Sequence, residues 1–319
     1  MSYDLYFMVP GSRERISREA FHDYFSSRPR YRIEGDTALY GNDATGCHFW
    51  FTWQGSEEAD EDIDDVDENA PDDDLKPAGV AFEINYYRPF WFPREAEPEL
   101  SSFVTEFDVH VDDPQFEGMG RGMFEPSGFH RGWAAGNRTA IMAMNRMGGP
   151  DAPAALADDD VVLDAWKWNF NIEALQARLG DDAYVPRILM VSIAGKVQTC
   201  CSWAWNTPTA IPKVEGVILG RPARGILGRL KGPEFALADY GDIPGLGVGS
   251  ISDGGEFRMS PAGDSDLWAW FQQARSIQPK LIPTFEVFER DAYENAASQS
   301  GRLTSTSDLL SANDKARHE

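Results

Sequence analysis

Asp108, His110 and Asp112 stand in a run, Asp-Val-His-Val-Asp, whose types and spacing could do chemistry. On an extended strand successive side chains alternate, so these three share one face while Val109 and Val111 take the other. Two carboxylates and an imidazole suit a divalent metal, which would make the chain a metal-dependent hydrolase. The same pattern also describes the polar edge of a half-exposed strand. No further His or Cys stands at ligand spacing, so both readings stay open. His130 precedes Gly132-Trp-Ala-Ala-Gly136 and Asn137 at a helix entry, where an imidazole can serve as a general base or simply pack. His22, His48 and His318 lie on a helix, an aromatic strand and the tail, none beside a nucleophile.

Other signatures are missing. The chain has no Gly-x-Ser-x-Gly elbow, no Walker loop and no His-Glu-x-x-His helix. The run Gly245-Leu-Gly-Val-Gly249 joins no strand to a helix in a βαβ unit, so it is a weak phosphate signal. Cys47, Cys200 and Cys201 form an odd set without metal spacing, which reads as reduced thiols. No cofactor is indicated, and the balance leans away from an enzyme.

Binding is the other chemistry on offer. Trp166 and Trp168, like Trp203 and Trp205, would face one way in an extended chain. Exposed, each pair would stack on a glycan, another small ligand or a peptide; buried, it is core. Phe90, Trp91 and Phe92 pose the same question as anchors for a protein partner. Residues 57–74 hold 12 Asp or Glu, among them Asp60, Asp62, Asp64 and Asp65, and no Lys or Arg. Such a run stays solvated; it is either a plain surface loop or an electrostatic lure for a basic protein.

These residues need elements to hold them. Residues 3–9 alternate as a strand, and Ser17 is placed to cap a helix carrying Phe21, Tyr24 and Phe25. Short strands are expected at 31–33, 38–40, 47–53 and 80–87. Pro93 opens a helix with Glu95, Glu97 and Glu99 in its first turns and a stripe of Leu100, Phe103, Val104 and Phe107. A third helix is expected over 130–146, with Gly132 and Gly136 against it. Gly148-Gly149-Pro150, running into acids at 158–160, reads as a linker. Beyond it come a helix at 171–179, a hairpin of 188–193 and 197–205, a strand at 214–219, a helix at 267–277 and a strand at 281–288. The expected class is α+β, with short, mostly antiparallel strands packed with helices. The expected division is an α+β domain over 1–150 with an acidic insertion at 55–77, a second over 151–290, and a flexible tail over 291–319.

Charge narrows the function classes. The chain has 319 residues and a formal charge of −23, and it keeps −11 without the twelve acids of 57–74. Such a field repels phosphate backbones and anionic headgroups, which argues against nucleic acid and for a basic partner. No window is apolar enough to span a membrane, and the opening, with Asp4, does not read as a secretory signal.

A resemblance adds to this reading. The opening Ser2-Tyr-Asp-Leu-Tyr-Phe7, the stretch Phe82-Glu-Ile-Asn-Tyr-Tyr-Arg-Pro-Phe90 and Glu95-Ala-Glu-Pro-Glu99 carry its first half. Asp113-Pro-Gln115, Gly132-Trp-Ala-Ala-Gly-Asn137, Val185-Pro186 and Pro212-Lys-Val-Glu215 extend it. Over most of residues 1–220 the chain resembles bacterial proteins of polymorphic-toxin and interbacterial-competition systems, many of which are immunity proteins. The resemblance implies a cytoplasmic protein that binds and blocks one cognate toxin. None of these motifs is a catalytic signature, so no residue role is carried over. Strong acidity suits a basic toxin, such as a nuclease, because opposed fields speed capture.

Overall fold

Residues 1–55, 75–115, 117–147, 155–224, 230–244, 247–251 and 255–300 are described by the computed structural model of the chain. They form two compact units, Met1–Ala152 with the described residues from Ala292 onward, and Pro153–Asp291. The class is α+β, with most strand pairs antiparallel.

The first unit is built on a sheet of seven strands. They are β1 (Ser2–Pro10), β2 (Tyr31–Glu34), β3 (Thr37–Asn42), β4 (Cys47–Trp53), β5 (Leu75–Asn85), β6 (His110–Asp113) and β7 (Gly120–Gly122). Their order is β2-β3-β4-β5-β1-β6-β7, antiparallel throughout. Strict alternation turns Tyr3, Leu5, Phe7, Phe49, Phe51, Phe82, Ile84 and Val111 to one face, where all are buried. Three helices cover that face: α1 (Arg18–Ser26), α2 (Phe92–Phe107) and α3 (Pro126–Met147). Phe103 of α2 lies 4.5 Å from Phe7 and 5.1 Å from Phe51, and Phe25 of α1 lies 5.0 Å from Phe51.

Ser17 caps α1 as expected, accepting from the Ala20 N–H at 3.1 Å. The two glycines that weigh against helix α3 are there for contact. A Cβ at Gly136 would sit 1.9 Å from the Tyr86 ring, and one at Gly132 would sit 3.0 Å from the Gly118 backbone. Helix propensity is given up for close approach.

In the second unit the acids expected in a linker start a helix instead. Asp159 and Asp160 form the first turn of α4 (Asp159–Phe170), where the helix dipole favours them. Then come α5 (Ile172–Leu179), β9 (Ile188–Ile193), β10 (Lys196–Ser202), β12 (Gly216–Arg224) and β13 (Leu230–Asp239), with β8 (Ala155–Ala157) and β11 (Thr209–Pro212) on the flanks. After β14 (Gly247–Ile251) and β15 (Gly255–Ser260) follow α6 (Ser265–Phe271), β16 (Arg275–Ile277), β17 (Lys280–Ile282) and β18 (Val287–Glu289). The main sheet has the order β16-β13-β12-β10-β9-β17, with β10 and β12 parallel.

Its two edge strands are neighbours in sequence. Only Gln278 and Pro279 separate Ile277 from Lys280, so the edges lie within about 11 Å of each other. The sheet is therefore strongly curled, its two edges joined by the segment that pairs first with β13 and then with β9. Val191, Ile193, Cys200, Ile218 and Leu237 form a buried apolar cluster on it. The end of the described chain is not a loose tail: α7 (Arg290–Ser300) is helical, and Tyr293 is buried and donates its hydroxyl to Asn145 at 3.1 Å.

Candidate functional site

The alternation that buries Tyr3, Leu5 and Phe7 must turn Asp4 and Tyr6 the other way. Register then assembles a second sheet face from strands far apart in sequence. Asp4 stands opposite Glu83, Glu83 opposite Trp50, Trp50 opposite Leu39, and Leu39 opposite Arg32, so five strands contribute one continuous row. The next row runs Thr37, Thr52, Ala81, Tyr6, Asp112, Arg121. Asp4, Tyr6, Leu39, Trp50, Thr52, Glu83, His110 and Asp112 are all half-exposed, whereas the helix-covered face is closed.

Charges on this face fall into two kinds. At its margins they are neutralised: Arg121 donates to Asp112 at 3.0 and 2.6 Å, and Arg32 pairs with Glu34 at 2.8 Å. In the central row, Asp4 and Glu83 form no ion pair among the described residues. Burial raises the Glu83 carboxyl above its ordinary range and the Asp4 charge raises it further, while the neighbouring Trp50 side chain opposes the shift. Two carboxylates, an indole and a phenol spread over a half-exposed sheet face suit a macromolecular partner.

The residues singled out from sequence are scattered by comparison. Asp108 is not on the strand; it is the left-handed C-cap of α2, with φ 45°, and it pairs with Arg13 at 3.2 Å. That turn breaks the alternation with His110 and Asp112, and Arg121 holds the Asp112 carboxylate. Among the described residues no group of three His, Cys, Asp or Glu could hold a metal. The metal triad is therefore not assembled.

Of the aromatic anchors, Trp91 and Phe92 are core, at 2% and 0% exposure, because they enter α2 against the sheet. Only Phe90 is exposed, at 37%, with its ring edge on Trp133. Asp60, Asp62, Asp64 and Asp65 lie outside the described residues, as do residues 148–154 and Gly245 and Leu246.

Trp166 and Trp168 are helical rather than extended, which sends them to different sides of α4. Trp168 is buried and donates to the Pro186 carbonyl at 2.8 Å, and Trp166 is half-exposed. Trp203 is buried and donates to Ser260, while Trp205 is half-exposed, 4.7 Å from Trp268. The cavity beside Trp203, Trp270 and Phe271 is about 10 Å³, room for one water at most.

His130 sits on α3, its imidazole pushed toward the neutral form first by burial, and no nucleophile is described beside it. Asn137 is structural, donating to the Tyr86 and Arg88 carbonyls at 2.6 and 2.9 Å. The three cysteines are free and buried; burial pushes the Cys200 thiol up to about 12. Sequence reasoning missed Asp4, Tyr6, Trp50 and Glu83. The usable signal was the polar member of each alternating strand, set aside once the apolar members had been assigned to the core.

The chain matches no protein-family model, no curated protein and no solved structure.

Proposed function

We propose that the chain is a toxin-neutralising, immunity-type protein that binds a basic toxin one to one and blocks it in the cytoplasm of the cell that makes it. One observation carries this reading: a half-exposed sheet face centred on Trp50, Tyr6, Asp4 and Glu83, the two acids without an ion pair among the described residues, on a chain of charge −23. Aromatic residues in a contact centre supply binding energy, and a like-signed field speeds the approach of an oppositely charged partner. The face spans about 30 Å across seven strands and about 16 Å along them, roughly 500 Å². A stable interface takes about 800 Å² per partner. The face therefore supplies the centre of a contact, and flanking segments supply the rest. The acidic run of 57–74 adds long-range attraction in this reading. No observation favours the metal-hydrolase alternative, whose three residues are spread over a helix cap and a strand.

The test is capture of a partner from native cells at low salt with the tagged chain, followed by reconstitution from purified components. The expected result is a basic protein in a 1:1 complex whose toxic activity is lost when the chain is added. A captured protein that stays fully active in the complex, or no stoichiometric partner, would overturn the reading.

A further inference from the structure

We infer that the row Leu39–Trp50–Glu83–Asp4 is a seat for an arginine side chain presented by a protein partner; this rests on the neutralising role proposed above and names the chemistry that its central row recognises. The strands carrying Asp4 and Glu83 are hydrogen-bonded neighbours, and the two residues are direct cross-strand partners. Directly opposed residues of antiparallel strands have Cα atoms about 4.5–5.5 Å apart, so both carboxylates rise from one spot on one face.

Like charges placed this way destabilise a sheet. Elsewhere on the face the acids are offset: Asp112 by Arg121 and Glu34 by Arg32. The central pair has no described cation, and an incoming one satisfies it. Two further features choose the kind of cation. Trp50 adjoins Glu83 as its direct cross-strand partner in the same row and lies close enough to favour its ionised carboxyl, which places the indole beside the acids. Cations are drawn to the face of tryptophan more than to other rings, and guanidinium stacks there while also forking two N–H groups onto carboxylates. Leu39, half-exposed next to Trp50 and before Arg32 at the end of the row, where Glu34 already pairs with Arg32, offers an apolar surface for the methylene stem of a long cationic side chain. Lysine, a compact and strongly hydrated point charge, uses fewer of these contacts. A bare divalent ion would find two carboxylates and no third acidic or imidazole ligand among the described residues.

The experiment uses the full chain and two capped probes, hexa-arginine and hexa-lysine, with affinity read by calorimetry and by tryptophan fluorescence. Both probes carry the same charge, so the general acidity of the chain contributes alike to each. The expected result is arginine binding about fivefold or more tighter than lysine. That preference is lost in the double variant Asp4→Asn, Glu83→Gln and reduced in Trp50→Phe. Equal affinities for the two peptides, or a preference that survives in the double variant, overturn the seat. So does displacement of hexa-arginine by millimolar Mg²⁺ or Ca²⁺ while hexa-lysine stays bound.

Circular dichroism and thermal melting confirm that each variant is folded before it is counted. A captured toxin that binds and is blocked normally by the double variant removes the seat and leaves the neutralising role standing. Peptide discrimination with no blocked partner keeps the seat and removes the neutralising role.

Discussion

Glu83 and Glu95 show how one residue type serves two ends. Glu95 is 2% exposed and accepts from the Tyr40 hydroxyl at 3.1 Å and the Asn42 amide at 2.9 Å, tying the start of α2 to β3. Glu83 lies beside Trp50 and faces Asp4, and the balance raises its carboxyl. The folded state thus binds this proton more tightly than the unfolded chain does. Stability associated with Glu83 is greatest below the ordinary value of 4.5 and is lost as pH rises through the raised one. Glu83→Gln should therefore flatten that slope and raise the melting temperature at pH 7, while weakening partner binding. Melting curves from pH 4 to pH 8 check this; a variant less stable than the parent at pH 7 would mean that Glu83 serves the fold. Nothing in the local sequence marks Glu83, since its significance comes from Asp4, some 80 positions away, through sheet register. Asp108 errs in the opposite sense. Its spacing to His110 looks like a strand, yet a left-handed cap intervenes.

Among the elements, those set by local pattern were legible: β1, β4, the capped α1, and α2 with its opening proline and apolar stripe. Helix α4 was not, because Trp166-Lys167-Trp168 imitates strand alternation. Its helical signal is the buried set Val162, Ala165, Trp168 and Asn169, in which a polar residue occupies a core position. Asn169 earns that position by extending the ladder of β9: it donates to the Ile188 carbonyl at 2.9 Å and accepts from the Ile188 N–H at 2.8 Å. Asn169→Ala leaves both backbone groups buried and unpaired. It should cost about 2–4 kcal/mol in urea unfolding followed by tryptophan fluorescence. A loss below about 0.5 kcal/mol would show that water replaces the amide at no cost.

At the scale of the whole molecule, the α+β class and the acidity were readable directly, whereas the curling of the second sheet was not. It depends on one short segment pairing with β13 and then with β9, strands roughly 40 and 90 positions away. Local periodicity carries no record of such pairings. The open face of the first sheet was hidden for the same reason, as its central row draws on five strands. No described helix is long and apolar enough to cross a membrane. The field of the whole chain is the property on which the proposed capture rests, so the rate of association with the captured partner tests it most directly. Stopped-flow mixing at rising NaCl, with the parent and with a variant carrying Asn at Asp60, Asp62, Asp64 and Asp65, provides the measurement. The account predicts that the parent's association rate falls about tenfold or more between low and high salt, and that the variant starts slower and falls less. An association rate that is the same at every salt concentration, for parent and variant alike, would contradict it.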